Sequence, residues 1–151
     1  LMINDGNPKV IEFNARFGDP ECQVILPRLA TDLMDLILGT VNSNLESVKP
    51  AWTDEACVGV ALASGGYPAT YQTGFPISGL GDVDKDIFVF HAGTRPGSRP
   101  GEVLTNGGRV LTVVARGKTL KEAREKVYAN VPRIHFEGCH YRRDIALIEE
   151  G

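Results

Sequence analysis

The sequence predicts an α+β fold, because helical and strand patterns both occur and are distributed unevenly along its 151 residues. Residues 1–48 combine short strand candidates with apolar residues at helical spacing. The remainder is rich in short strand candidates separated by Gly and Pro, and it contains one helix. The polar stretch 47–54, with Pro50, is the best linker candidate. We therefore expect two domains, 1–48 and 49–151.

The first domain begins with a predicted hairpin. Strand candidates at 1–4 and 9–15 flank Asp5-Gly6-Asn7-Pro8, and Asp-Gly is a strong hairpin turn signal. Leu1 is not an initiator methionine, and the first residues are already typical of a strand. We therefore expect the sequence to begin inside a fold.

Two helices are predicted after the hairpin. Asp19-Pro20 is typical of a helix start, with Asp19 as cap and Pro20 at the first helical position, and Pro27 ends this short helix. A longer helix begins near Thr31, since its apolar residues recur every four positions: Leu33, Ile37, Val41 and Leu45.

The second domain is predicted to contain several strands and one helix. The strand candidates are 56–64, 77–79, 87–91, 102–105 and 109–115, and residues 136–148 are expected to form a final strand and tail. The helix covers 119–130, where Thr119 and Glu122 have the spacing of a capping box.

Composition excludes several functional classes. The net charge is −3 and Lys and Arg are not clustered, so a nucleic-acid-binding surface is not expected. No apolar run approaches the roughly 20 residues that cross a bilayer. The three cysteines are far apart and odd in number, which fits neither a disulfide framework nor a metal knuckle. We expect a cytoplasmic protein.

The segment with the most specific chemistry is Glu12-Phe13-Asn14-Ala15-Arg16. In a strand, Glu12, Asn14 and Arg16 would share one face. A carboxylate and an amide oxygen are the hard ligands that Mg²⁺ prefers, and an arginine can stabilise a transferring phosphoryl group. The alternative is a half-exposed strand with ordinary polar residues on its wet face.

Residues 9–21, KVIEFNARFGDPE, resemble the signature of glycinamide ribonucleotide synthetases, which belong to the ATP-grasp superfamily. Further segments resemble this family and occur in family order: 22–29, 64–68, 91–94, 107–111, 136–138 and 141–145. The resemblance implies that the chain is the C-terminal end of an ATP-grasp domain, a β-hairpin plus helices. A small β-rich domain with one helix, barrel-like or sandwich-like, would follow it.

The resemblance also implies an activity. Enzymes of this family join glycine to 5-phosphoribosylamine through glycyl phosphate, which consumes ATP and gives glycinamide ribonucleotide, ADP and phosphate in purine biosynthesis. Glu12 and Asn14 would hold the Mg²⁺ or Mn²⁺ that bridges the ATP phosphates. Arg16 would contact the transferring phosphoryl group or the glycyl phosphate. Asp19 would orient glycine, cap the following helix, or do both.

Two further segments contribute candidate substrate contacts. In Asn106-Gly107-Gly108-Arg109 the glycines permit close backbone approach and the arginine can fork onto a phosphate. By analogy with related ATP-grasp enzymes, Arg109 and Gly108 would face the phosphate of phosphoribosylamine; the alternative is a hairpin with a solvated arginine. His91 ends a strand, where it either touches substrate or is structural.

Other parts of such an active site are not recognisable in the sequence. There is no phosphate-binding glycine loop with an adjacent lysine and no nucleotide-base pocket. We therefore expect the N-terminal remainder of the same enzyme as a partner, and no turnover from the chain alone. The alternative is a stand-alone β-rich module that binds a phosphorylated metabolite or a partner protein. The upstream reading frame distinguishes the two, since the ligase requires roughly 270 preceding residues.

Overall fold

The computed structural model describes residues 1–147 and has the predicted α+β composition. The strands are β1 (Met2–Asn4), β2 (Asn7–Lys9), β3 (Ala56–Ala63), β4 (Phe88–His91), β5 (Thr94–Pro96), β6 (Val103–Thr105) and β7 (Arg109–Gly117). The helices are α1 (Cys22–Ile25), α2 (Leu33–Val41) and α3 (Leu120–Asn130), and short 3-10 turns cover Leu26–Arg28, Leu45–Ser47 and Val131–Arg133.

The centre of the fold is a three-stranded antiparallel sheet in the order β3-β7-β4. Val113 of β7 lies opposite Val60 on one side and Val89 on the other. Residues 110–115 are buried on both faces of β7, which explains their nearly continuous apolar character. The predicted strands 56–64, 87–91 and 109–115 are thus confirmed.

One face of this sheet packs against α3. Ala123, Val127 and Val131 are fully buried there and belong to the hydrophobic core. The predicted cap of α3 is confirmed, since the Thr119 hydroxyl accepts a hydrogen bond from the Glu122 backbone N–H at 3.1 Å. The Glu122 carboxylate accepts from the backbone N–H of Lys118.

The opposite face of the sheet packs against α1. A Cβ atom on Gly59 of β3 would lie only 2.8 Å from Cγ1 of Val24. Glycine at this position lets the short helix approach the sheet closely. The N-terminal third of the chain is therefore attached directly to the central sheet.

The N-terminal hairpin is shorter than predicted. Asp5 and Gly6, both with positive φ, form a two-residue turn, and Asn4 pairs with Asn7. Residues 10–17 contain no strand, so the prediction of a strand at 9–15 is wrong. The Asp-Gly turn uses two residues rather than four, which places Asn7 and Pro8 in β2.

Other strand predictions are only partly correct. Segment 77–79 makes one bridge, from Ser78 to His135, and the described part of 136–148 makes one bridge, from His140 to Ala63. Residue 148 lies outside the described residues. Strand β5 was missed, and it pairs with β6 in a separate two-stranded sheet. Within residues 1–147 the strands form three separate sheets and no closed barrel.

No helix in residues 1–147 is long and apolar enough to span a bilayer.

Candidate functional site

The predicted metal-binding segment is an exposed irregular stretch rather than a strand. The side-chain amide of Asn14 donates to Oε1 of Glu12 at 3.1 Å, so these two predicted ligands are in contact. Arg16 turns away and donates to the carbonyl of its neighbour Phe17 at 2.8 Å. The structure thus brings Glu12 and Asn14 together, but it does not bring Arg16 to them.

The pair of Glu12 and Asn14 fits part of a magnesium site. It supplies carboxylate and amide oxygens, the donors that Mg²⁺ accepts. Residues 1–147 contain no cluster of three or more His, Cys, Asp or Glu side chains that could hold a metal ion. Oxygens from outside these residues, such as substrate phosphates, would have to complete the coordination.

Asp19 and Arg109 are joined although 90 residues separate them in sequence. Oδ2 of Asp19 accepts from Nη2 of Arg109 at 3.0 Å, and Oδ1 accepts from the side-chain amide of Gln23 at 2.9 Å. The prediction that Asp19 caps the helix is wrong. The helix starts at Cys22, so its N-cap is Glu21, whose side chain makes no cap bond. Asp19 and Pro20 precede this position, and both carboxylate oxygens of Asp19 accept from side chains instead.

The turn before Arg109 is held by a buried serine. The Ser64 hydroxyl donates to the carbonyl of Gly107, and its backbone N–H donates to the carbonyl of Gly108, both at 2.8 Å. A Cβ atom on Gly108 would overlap the ring of Tyr67. Position 108 therefore has to be glycine so that the Tyr67 ring can pack against it, whether or not a ligand also approaches there.

His91 lies at the same end of the central sheet as Arg109. It ends β4 opposite Leu111, two residues after Arg109. Its Nδ1 lies 2.9 Å from the Thr94 hydroxyl, and the ring is exposed. Three of the predicted substrate-binding residues, Arg109, Gly108 and His91, therefore share one end of the sheet, and Asp19 reaches that end through its ion pair.

Sequence reasoning missed Ser64 and Tyr67 as site residues. They lie in the segment 64–68, whose resemblance to the family was noted without a role for either residue. This segment directly follows a buried strand, and functional loops often gather at the end of a sheet. That position could have identified Ser64 and Tyr67 from the sequence.

Cys57 and Cys139 do not add a reactive group. Burial raises the pKa of the Cys139 thiol to about 11. Burial also raises the pKa of Cys57, although the nearby Arg116 opposes the shift. Both thiols are protonated at neutral pH and are poor nucleophiles.

A family model described as "Phosphoribosylglycinamide synthetase, C domain" matches residues 57–148, which is more than half of the chain. The chain belongs to the phosphoribosylglycinamide synthetase family. This confirms the family that the sequence motifs indicated.

Curated relatives of this family agree with the assignment. A phosphoribosylamine–glycine ligase of Caldanaerobacter subterraneus is 50% identical over 146 residues, which cover 97% of this chain and 34% of the relative. The trifunctional purine biosynthetic protein adenosine-3 of Gallus gallus is 48% identical over 147 residues, 96% of this chain and 14% of that protein.

A solved structure extends the likeness to the fold. The crystal structure of a phosphoribosylamine–glycine ligase from Thermotoga maritima matches with a TM-score of 0.76 and 35% identity, over 95% of this chain and 34% of that one. The chain spans about a third of the length of the single-function ligases that it matches.

Proposed function

We propose that this chain is the C-terminal portion of an ATP-dependent ligase that joins glycine to 5-phosphoribosylamine. The reaction would pass through glycyl phosphate and yield glycinamide ribonucleotide, ADP and phosphate. Family membership supports the proposal, and the ion pair between Asp19 and Arg109 is the structural observation that carries it. It connects the signature segment to the sheet end that holds the other candidate substrate contacts.

Residues 1–48 would be the end of an ATP-grasp domain and residues 49–151 the C-terminal domain. Glu12 and Asn14 would hold Mg²⁺ or Mn²⁺, which would neutralise charge on the ATP phosphates. Arg16 must leave the carbonyl of Phe17 to reach the transferring phosphoryl group, since that carbonyl is its present partner. An exposed side chain can make this change at little cost.

The phosphate of phosphoribosylamine would bind at the end of β7. Arg109 supplies a guanidinium that Asp19 orients, and Gly108, buried beneath the Tyr67 ring, would shape the backbone next to it. His91 would contact the sugar or the amine from the neighbouring strand end. Because both oxygens of Asp19 already accept hydrogen bonds, its contribution is to hold Arg109, and a direct contact with glycine would require it to release Gln23 or Arg109.

The remaining machinery would come from the part of the ligase that precedes the region matched here. Apolar side chains exposed on the first 45 residues support this, including Phe13, Phe17 and Val41. A cytoplasmic location is proposed on the same basis as the activity, because purine synthesis supplies and consumes soluble phosphorylated metabolites.

The test is a steady-state assay of the full-length enzyme that carries this chain. ADP formation should require both glycine and phosphoribosylamine. Replacement Arg109→Ala should raise KM for phosphoribosylamine by about 10–100-fold, since charge-assisted hydrogen bonds are worth about 1.5–3 kcal/mol, and should change KM for ATP little.

Arg143→Ala is the matched control, because the Arg143 side chain is exposed and makes no ion pair within residues 1–147. It should leave both KM values unchanged. An unchanged KM for phosphoribosylamine in the Arg109 variant would remove the proposed phosphate contact. ADP formation that does not depend on glycine would remove the proposed reaction.

A further inference from the structure

Gln23 completes a row of three side chains at the end of the central sheet. Its side-chain Nε2 donates to Oδ1 of Asp19 at 2.9 Å, and Oδ2 of Asp19 accepts from Nη2 of Arg109 at 3.0 Å. One carboxylate therefore bridges an amide and a guanidinium. Without the amide, only Arg109 would restrain rotation of the carboxylate, because the last torsion of an aspartate side chain is broad.

Both ends of this row are anchored to the central sheet. Arg109 is the first residue of β7. Gln23 lies on α1, and the adjacent Val24 is so close to Gly59 of β3 that a Cβ atom there would lie 2.8 Å from the valine. Asp19 is therefore held between two partners that are fixed relative to each other.

The bond to Asp19 leaves the other end of the Gln23 amide unpaired. A carboxylate only accepts hydrogen bonds, so the amide has to turn its nitrogen toward Asp19. Its Oε1 is then buried and has no hydrogen-bond partner within residues 1–147, where only the Thr53 hydroxyl is in the same state. A buried acceptor without a partner destabilises the folded state. The orientation of this amide therefore suits Asp19 rather than the stability of α1.

The guanidinium at the other end of the row is open to solvent. The Arg109 side chain is 39% exposed, and within residues 1–147 its Nε and Nη1 donate to no protein atom. A phosphate can approach from solvent and accept from these nitrogens, which a guanidinium presents in a fixed plane. A long exposed side chain has many rotamers, so the direction of this plane depends on the ion pair with Asp19.

We infer that Gln23 is a positioning residue that holds the Asp19 carboxylate, and through it the Arg109 guanidinium, in the orientation that receives the phosphate of a sugar-phosphate ligand. The inference rests on the proposed function for the chemical class of the ligand. The unpaired Oε1 lowers the stability of the chain, and the benefit is an arginine that is oriented before the ligand arrives.

The experiment is an NMR titration of the ¹⁵N-labelled 151-residue chain with ribose 5-phosphate, following the side-chain Nε–H of Arg109. In the unaltered chain this signal should shift in a saturable manner, and ribose without phosphate should leave it unmoved. Gln23→Met keeps the length of the side chain but removes the donor. It should weaken binding by about 3–10-fold, the effect expected for losing one net hydrogen bond.

Gln72→Met is the matched control. It is the same substitution at an exposed glutamine whose side chain makes no hydrogen bond within residues 1–147. This variant should bind ribose 5-phosphate as the unaltered chain does. Gln23→Glu places a second carboxylate against Asp19 and should also weaken binding; it replaces the methionine variant if that one fails to fold.

Urea unfolding distinguishes positioning from a purely structural role. Gln23→Met removes the unpaired buried oxygen, so its urea midpoint should equal or exceed that of the unaltered chain although its affinity is lower. A midpoint that falls together with the affinity would show that the amide supports the fold, and would overturn the inference.

A double-mutant cycle tests whether Gln23 acts through Asp19. In the Asp19→Ala background, Gln23→Met should cause no further loss of affinity, because the carboxylate that it orients is gone. A loss of the same size in both backgrounds would overturn the inference.

Equal affinity in Gln23→Met and the unaltered chain would also overturn it, and so would an Arg109 signal that does not respond to ribose 5-phosphate. The ligase assay separates these outcomes from failure of the proposed function. Glycine-dependent turnover in the full-length enzyme, with equal affinity in Gln23→Met, overturns only the role of Gln23. Weaker binding in Gln23→Met without such turnover overturns only the ligase.

Discussion

At the residue scale, the contact between Asp19 and Arg109 shows what a linear pattern cannot reveal. Both residues were predicted as substrate-binding, but their pairing depends on the packing of α1 against the central sheet, which brings positions 90 residues apart together. The side chains of Arg109 and Asp19 are 39% and 46% exposed, so the pair is worth about 0–1 kcal/mol in stability. Its effect is on the orientation of the guanidinium.

Gly79 is a residue at which the backbone conformation matters for stability. Its φ is +81°, and a Cβ atom there would collide with the carbonyl oxygen of Arg133. Replacement Gly79→Ala should lower the free energy of unfolding by about 2–4 kcal/mol, from left-handed strain and overpacking together. Urea unfolding followed by circular dichroism measures this change.

Gly81 provides the control two residues away. Its φ is not in the left-handed region, and a Cβ atom there would meet nothing within 4 Å. Gly81→Ala should change the free energy of unfolding by no more than about 0.5 kcal/mol. Similar losses in the two variants would show that the close approach between Gly79 and Arg133 is not what destabilises the first one.

At the element scale, acidic residues fasten the segment before β4 to α3 and to the turn that follows it. Asp84 accepts from the Asn130 side chain at 3.0 Å and from Arg133 at 2.8 Å, and Asp86 accepts from Lys126 at 2.7 Å. These hydrogen bonds, from Asn130 first and then Arg133, lower the pKa of Asp84 below its ordinary value of 3.8. The hydrogen bond from Lys126 likewise lowers the pKa of Asp86.

A carboxylate whose pKa is lower in the folded state than in the unfolded state stabilises the fold above pH 3.8. This stabilisation is lost as the pH falls through the pKa of the folded state. The urea midpoint of the unaltered chain should therefore drop between about pH 7 and about pH 3. The double variant Asp84→Asn, Asp86→Asn should show a smaller drop. Both carboxylates are exposed, so the difference should be modest and should shrink in high salt.

Glu125→Gln serves as the control for this pH dependence. Glu125 is exposed on α3 and forms no ion pair within residues 1–147. Its substitution should leave the drop in urea midpoint unchanged. A drop of equal size in the double variant would show that Asp84 and Asp86 do not connect the segment to the helix.

The elements that sequence patterns predicted well are those determined by local signals. The Asp5-Gly6 turn, the apolar run of β3 and the Thr119 cap of α3 each depend on neighbouring residues, and each is present. Strand β5 was missed because its residues, Thr94-Arg95-Pro96, contain a proline and have no apolar alternation. They form a strand because they pair with β6, which is a tertiary effect.

At the scale of the whole molecule, hydrophobic exposure is concentrated in the N-terminal third. Phe13 is 92% exposed and Val41 of α2 is 73% exposed, while the core of the central sheet is closed to solvent. In a single-chain preparation this surface should cause self-association that increases with concentration, because water-exposed apolar area favours contact between copies. Sedimentation velocity over a range of concentrations measures the effect.

The double variant Met34→Lys, Val41→Glu should reduce this self-association, since both side chains are exposed on α2. Lys121→Glu, an exposed change on α3, controls for the altered charge. A chain that stays monomeric at all concentrations would show that the exposed apolar residues do not cause self-association. The sequence predicted the apolar stripe of α2, but not that much of it faces solvent.

The seating of Val24 over Gly59 constrains how an enzyme containing this chain can open and close. This contact holds α1 against the middle of the sheet. Asp19 lies three residues before the start of α1, so we expect it to move together with Arg109, its ion-pair partner. A hinge that leaves this contact and the ion pair intact would lie on the N-terminal side of Gly18. The hairpin and the exposed stretch with Glu12 and Asn14 would then swing relative to the sheet end that holds Arg109.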